Sequence, residues 1–102
     1  MERDQASKFI NDLLQLMVNR KGSDLFLTAE FPPAIKVDGA VARVSPQPLS
    51  PNHTMALARS IMSDRQMAEF ERTKECNFAI SPAGIGRFRV NAFIQQGRVG
   101  MV

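Results

Sequence analysis

Hydrophobic and polar positions alternate most cleanly near the end of the chain, in the stretch Gly86-Arg87-Phe88-Arg89-Val90-Asn91-Ala92-Phe93-Ile94-Gln95-Gln96. Phe88, Val90, Ala92 and Ile94 share one parity, while Arg87, Arg89, Asn91, Phe93 and Gln95 share the other, which is the pattern of a strand with one buried face. A different period governs the beginning. From Asp4 to about Arg20 the apolar residues Ala6, Phe9, Ile10, Leu13, Leu14, Met17 and Val18 recur at three- and four-residue steps, predicting an amphipathic helix whose stripe packs on a core. Arg20 and Lys21 suit its last turn, and Gly22 stands where a left-handed C-terminal cap belongs.

Between these two, the chain reads as short alternating runs and capped helices. Ser23 to Thr28 predicts a strand with Leu25 and Leu27 on one face and Phe26 on the other, broken by Phe31-Pro32-Pro33. Ala34–Val37 and Ala40–Val44 flank Asp38-Gly39, a dipeptide suited to the positive φ angles of a tight hairpin. Ser45-Pro46-Gln47-Pro48-Leu49 is too proline-rich to remain in a sheet. Ser50 before Pro51 is an N-cap ahead of a proline at the first helical position, so a helix is expected to about Met62, burying Met55, Ala58, Ile61 and Met62. Ser63-Asp64-Arg65-Gln66 has capping-box spacing for a second, short helix with Met67 and Phe70 inward. Glu75–Ile80 returns to strand, Ser81–Gly84 turns, and the arginine strand follows. Gln96-Gly97-Arg98 reads as a turn, and Val99 to Val102 as a strand that the end of the sequence interrupts, which implies a fragment of a longer protein. Runs of one element type, rather than strict β-α-β alternation, indicate an α+β fold with helices packed on an antiparallel sheet.

Composition narrows the function classes without choosing one. A length of 102 residues suits a single domain, 1–102, and 44% hydrophobic with 23% charged residues are ordinary globular values. The formal net charge of +3 fits an acidic partner, phosphate or nucleic acid equally. One cysteine allows no internal bridge, and the charged MERDQASKF start is unlike a secretory signal, so the chain reads as cytosolic. Met55-Ala56-Leu57-Ala58 is the longest apolar run, far below the roughly 20 residues that span a bilayer, so direct membrane insertion is not expected.

The candidate chemistry is cationic. No acidic residue follows Glu75, so Arg87, Arg89 and Arg98 lack a counter-charge nearby in sequence. Two readings fit: a strand face that meets an anion or an acidic partner, or a solvated face whose arginines pair with acids brought by the fold. His53, alone in the first turn of the second helix, reads as a solvated surface group, and Cys76 as an inert strand residue with no base beside it. One histidine and one cysteine cannot close a zinc site, so no metal or catalytic residues are assigned. Gly84-Ile85-Gly86 begins like a dinucleotide fingerprint, but Arg89 occupies the third glycine position and no helix follows. A Walker A sequence is absent. GRFRVNAF superficially resembles the aromatic strand of RNA-recognition motifs, yet Phe88 and Phe93 have opposite parity and cannot stack on one face, so nucleic acid is not the expected partner.

Taken together, KGSDLFLTAEFPPAIKVDG resembles the N-terminal signature of the type IV pilus retraction ATPases, the PilT/PilU family of hexameric secretion ATPases. The tail ECNFAISPAGIGRFRVNAFIQQGRVGMV is similar above all to the family's accessory, PilU-type branch. An SDL strand, a PP loop, a VDG hairpin and an RFRVNAF strand occur in the family's order, so the resemblance runs from the first helix to Val102. Two departures stand out: Phe26 where many relatives carry histidine after SDL, and Asn77 where the principal branch tends to carry an acid.

The resemblance implies a PAS-like antiparallel sheet with helices packed on one face, as the non-catalytic N-terminal domain of a hexameric motor that drives pilus retraction and twitching motility. It implies docking onto the ATPase core of a neighbouring subunit, with the RecA-like core itself lying beyond Val102. ATP and Mg2+ would belong to the full-length protein and not to this piece, and Arg87, Arg89 and Arg98 become candidates to reach the γ-phosphate held by the core. Further implied partners are the paralogous retraction ATPase and the inner-membrane platform of the pilus, at whose cytoplasmic face the motor would act. The competing class is a free-standing PAS-like module that senses a small ligand.

Overall fold

In the computed structural model, which describes residues 2–95 and 97–102, the chain runs α1 (Arg3–Asn19), β1 (Asp24–Thr28), β2 (Ala34–Val37), β3 (Ala40–Arg43), α2 (Pro51–Ile61), α3 (Asp64–Thr73), β4 (Glu75–Ile80), β5 (Phe88–Gln95) and β6 (Arg98–Met101). The six strands form one sheet in the order β3-β2-β1-β6-β5-β4, and every neighbouring pair is antiparallel. This is the α+β arrangement expected from the sequence, with three helices against an antiparallel sheet. The predicted turn at Gln96 falls in part outside the described residues. Arg98, assigned to that turn from sequence, is instead the first residue of β6, opposite Gln95.

Register follows the alternation. Ala92 faces Met101 and Ile94 faces Val99 across β5 and β6, while Leu27 faces Met101 across β1 and β6, so these side chains share the inner face. Leu27, Ala92, Val99 and Met101 join Ile10, Leu14 and Met17 of α1, Leu57 and Ala58 of α2, and Phe70 of α3 in one buried cluster, against which the half-buried Ile94 packs. Each large side chain buried this way contributes roughly 1.5–3 kcal/mol, which offsets the entropy of ordering a chain of this size.

Helix ends obey local chemistry, with one reassignment. Ser50 Oγ accepts from the His53 amide at 3.1 Å, and Ser63 and Gln66 bond reciprocally at 3.1 and 2.9 Å, as the capping signals predict. At the end of α1, however, Lys21 takes the left-handed conformation at φ 56, not Gly22. The Gly22 amide donates to Met17 at 2.8 Å and the Lys21 amide to Val18 at 3.1 Å, the paired bonds of a Schellman ending. Gly22 serves a steric purpose: a Cβ there would lie 2.8 Å from Met17 Cγ and 3.2 Å from the Lys36 carbonyl. Asp38 and Gly39, at φ 52 and 80, make the expected hairpin turn between β2 and β3.

The inward face of α2 differs from expectation as well. Thr54, Leu57 and Ala58 are its buried residues and Met62 beyond it is buried, whereas Met55 and Ile61 are only half-buried. The Thr54 hydroxyl donates to the Pro51 carbonyl at 3.1 Å, which lets a polar side chain be buried without an orphaned group.

Candidate functional site

The outer face of the sheet, opposite the helices, carries the candidate residues. On β5 the parity that sends Phe88, Val90, Ala92 and Ile94 inward turns Arg89, Asn91 and Phe93 outward. Arg89 lies opposite Ala79 on β4, and the next outward pair is Asn77 with Asn91. Its cross-strand neighbours are therefore neutral, and Arg87 and Arg89 are exposed with no ion pair among the described residues. Asn77, diagonal to Arg89 on this face, adds no charge of its own.

Arg98 is in a different state. Its guanidinium bonds the Glu30 carboxylate at 2.9 Å, both side chains about half exposed. The absence of acids after Glu75 concealed this, because the partner arrives from the β1–β2 connection, most of the chain away. Glu30 is held in a left-handed conformation at φ 73, and its amide donates to the Leu49 carbonyl. The Leu49 amide in turn donates to Phe31 at 3.0 Å, and Ala29 bridges Leu49, so the proline-rich connector touches the sheet edge although it forms no strand. The three predicted arginines therefore divide: Arg87 and Arg89 stand free at one end of the sheet, and Arg98 is committed at the other.

Phe93 organises the outer face between them. It faces Gly100 on β6, and a Cβ on Gly100 would come within 2.5 Å of the Phe93 ring. The ring lies in the space that the glycine leaves. Sequence reasoning placed Phe93 outward but gave no reason for Gly100, whose role depends on cross-strand register.

A cleft of about 900 Å³ opens at the same end as Arg87 and Arg89. Leu14 and Met17 of α1, Leu25 of β1 and Phe78, Phe88 and Val90 of the β4–β5 hairpin line it, with Asp24 and Arg89 at its rim. His53 is exposed in the first turn of α2 and Cys76 is half-buried on β4. Among the described residues no three His, Cys, Asp or Glu side chains gather as a metal site would require, and no helix is long and apolar enough to cross a membrane.

Comparison with known proteins gives consistent relatives. The type IV pilus ATPase PilU of Pseudomonas aeruginosa is 53% identical over 90 residues, 88% of this chain and 24% of its own length. The type IV pilus retraction ATPase PilT of the same organism is 42% identical over 93 residues, covering 91% of this chain and 27% of its own length. The crystal structure of the pilus retraction motor PilT with bound ADP superposes with a TM-score of 0.80 and 34% identity, over 88% of this chain and 26% of that one. The Legionella pneumophila ATPase DotB shares the fold with a TM-score of 0.77 at 19% identity, over 91% of this chain and 27% of its own. The chain thus spans about a quarter of the length of the curated relatives it matches. No family model matches it.

Proposed function

We propose, for a chain that belongs to the type IV pilus retraction ATPase family and corresponds to the N-terminal part of its members, that residues 1–102 form one PAS-like domain serving a hexameric motor as a docking and nucleotide-contact module. In this reading the domain packs on the ATPase core of a neighbouring subunit. Arg89 reaches from the sheet to the phosphates held there, and the assembly works at the cytoplasmic face of the pilus machine in twitching motility.

The observation that carries the reading is the state of Arg89. It is exposed, flanked by neutral cross-strand neighbours, and fixed on a strand between inward-facing Phe88 and Val90. An arginine that makes no ion pair within its own domain is available to an anion supplied from outside. Exposed guanidinium groups fit a phosphate at their tips and nothing more, because the chain carries no Walker A loop to cradle ATP with its Mg2+; both would be held by the core. A guanidinium placed there would neutralise charge spread over the phosphoryl oxygens, a contribution worth roughly 10³ or more in rate where such arginines act. Arg87 is the second candidate, and Arg98, already paired with Glu30, is the weakest.

In the full-length protein, Arg89→Ala should lower ATP turnover at saturating ATP by about tenfold or more while the hexamer persists in light scattering. Arg89→Lys should restore only part of the activity. Turnover unchanged in either case refutes the nucleotide contact, and turnover unchanged with a dissociated ring makes the role one of subunit packing. The sensory alternative draws on the cleft, whose volume falls in the range of ligand pockets. Stabilisation of this chain by a metabolite in a thermal-shift screen would favour it.

A further inference from the structure

The two outer strands of the sheet differ in chemistry. β3, at one edge, is four residues long, exposed throughout, and ends in Arg43. β4, at the other, is six residues long, and its stretch Cys76-Asn77-Phe78-Ala79-Ile80 holds neither a charge nor a proline, the usual guards against edge pairing. The 2.9 Å bond from the Ile94 amide to the Lys74 carbonyl sets the phase of the β4–β5 ladder. In that phase Cys76, Phe78 and Ile80 bond β5, while Glu75, Asn77 and Ala79 turn their N–H and C=O groups to the open side. The Thr73 hydroxyl donates to the Glu75 carbonyl at 2.9 Å and so occupies it. Asn77 and Ala79 keep both N–H and C=O without a hydrogen-bond partner among the described residues. On the inner face of the same strand Cys76, Phe78 and Ile80 are only half-buried.

We propose that β4 is a docking edge for a second copy of this chain, the two β4 strands pairing antiparallel about a two-fold axis at Phe78. Self-complementarity selects that occupant. With Phe78 opposite Phe78, Asn77 of each copy meets Ala79 of the other as a hydrogen-bonded pair, so every free N–H on this edge finds a free C=O and the occupied Glu75 carbonyl is not needed. A register centred on Asn77 would instead pair Ala79 with Glu75, whose carbonyl Thr73 already holds. The side chains favour the first register as well. On the inner face the Phe78 rings meet as a closely spaced cross-strand pair and Cys76 faces Ile80 of the second copy, which covers the half-buried row. On the outer face Glu75 lies opposite Ser81 of the second copy. Beyond the Ile80–Phe88 pair the next residue across that hairpin is Arg87, about 10 Å from Glu75 at two strand spacings, a span that two long side chains of opposite charge can close. No like charges are opposed. This pairing depends on the β4 edge alone and not on any role of Arg89 toward nucleotide.

The experiment follows sedimentation and amide exchange of the 102-residue chain at micromolar and millimolar concentration. The mass should rise toward twice that of the monomer, and the Asn77 and Ala79 amides should exchange at least about tenfold more slowly in the concentrated sample, while the Val41 and Arg43 amides of the β3 edge do not change. Ala79→Pro removes an N–H that makes no bond within the chain, so it should abolish association and leave the circular dichroism of the fold intact. In a Cys76→Ser background, Phe78→Cys should give a disulfide-linked dimer on mild oxidation, because a closely spaced antiparallel pair has the right Cα separation, and Asn77→Cys should not. A chain that stays monomeric at millimolar concentration overturns the proposal. So does a dimer that Ala79→Pro leaves unaffected, or one that Asn77→Cys links and Phe78→Cys does not. Protection of Asn77 and Ala79 that is independent of concentration also overturns it, since the edge would then be covered from within the same chain.

Discussion

The two halves of β5 follow one alternation and end in different environments. In the C-terminal half, Ala92 is fully buried opposite Met101 of β6, while Ile94, opposite the almost inaccessible Val99, is half-buried. In the N-terminal half, Phe88 and Val90 have the same inward parity and are half-buried as walls of the cleft, with no β6 residue paired to them among the described residues. Sequence parity chooses the face of a strand. Burial on that face depends on what packs over it, which closes over Ala92 and leaves Phe88, Val90 and Ile94 partly open.

Substitutions can break or sharpen that contrast. The largest effect is expected at Phe70, fully buried in the closed region, where Phe70→Ala should cost about 3–5 kcal/mol, a large share of the stability of a domain this size. Phe88→Ala in the open half should cost only about 1–2 kcal/mol, since its ring keeps solvent contact throughout. Equal shifts of the urea midpoint for the two would abolish the distinction between the halves.

An intermediate effect is expected on the outer face of the closed half. Gly100→Ala pushes a methyl group into the Phe93 ring and should cost about 1–3 kcal/mol. Because the two residues share one space, Phe93→Leu should recover much of that loss in the double variant, and strictly additive costs would contradict the packing described. The smallest effect concerns Glu30 and Arg98. A double-mutant cycle on this half-exposed pair should give a coupling below about 1 kcal/mol, fading in high salt. A larger, salt-insensitive coupling would mean that the pair clamps the β1–β2 connection more firmly than an exposed contact can.

Much of this architecture could be read from local pattern. The stripe of α1, the Asp38-Gly39 hairpin, the two serine caps and the parity of β5 are decided by residues within a few positions of one another, and they recur in the folded chain. The inward face of α2 was not legible. Met55-Ala56-Leu57-Ala58 is apolar all the way round, so periodicity could not distinguish Leu57 from Met55; contact with α1 and β6 made the choice. The left-handed residue at the end of α1 was misplaced by one position for a related reason. Gly22 was needed for its lack of a side chain against Met17 and Lys36, which left the strained angle to Lys21.

The candidate site divides along the same line. Sequence alone determined that Arg89 sits on the polar face of a strand, because alternation is a property of the backbone and requires no knowledge of partners, whereas Arg87, expected on the same face, lies just before the strand begins at Phe88. Only the tertiary structure decided that Arg98 is matched by Glu30 while Arg89 makes no ion pair among the described residues and has uncharged partners on β4. Charge pairing and burial depend on which distant segments are brought within a few ångströms, and that information resides in the packing of the sheet rather than in the order of residues along any one strand.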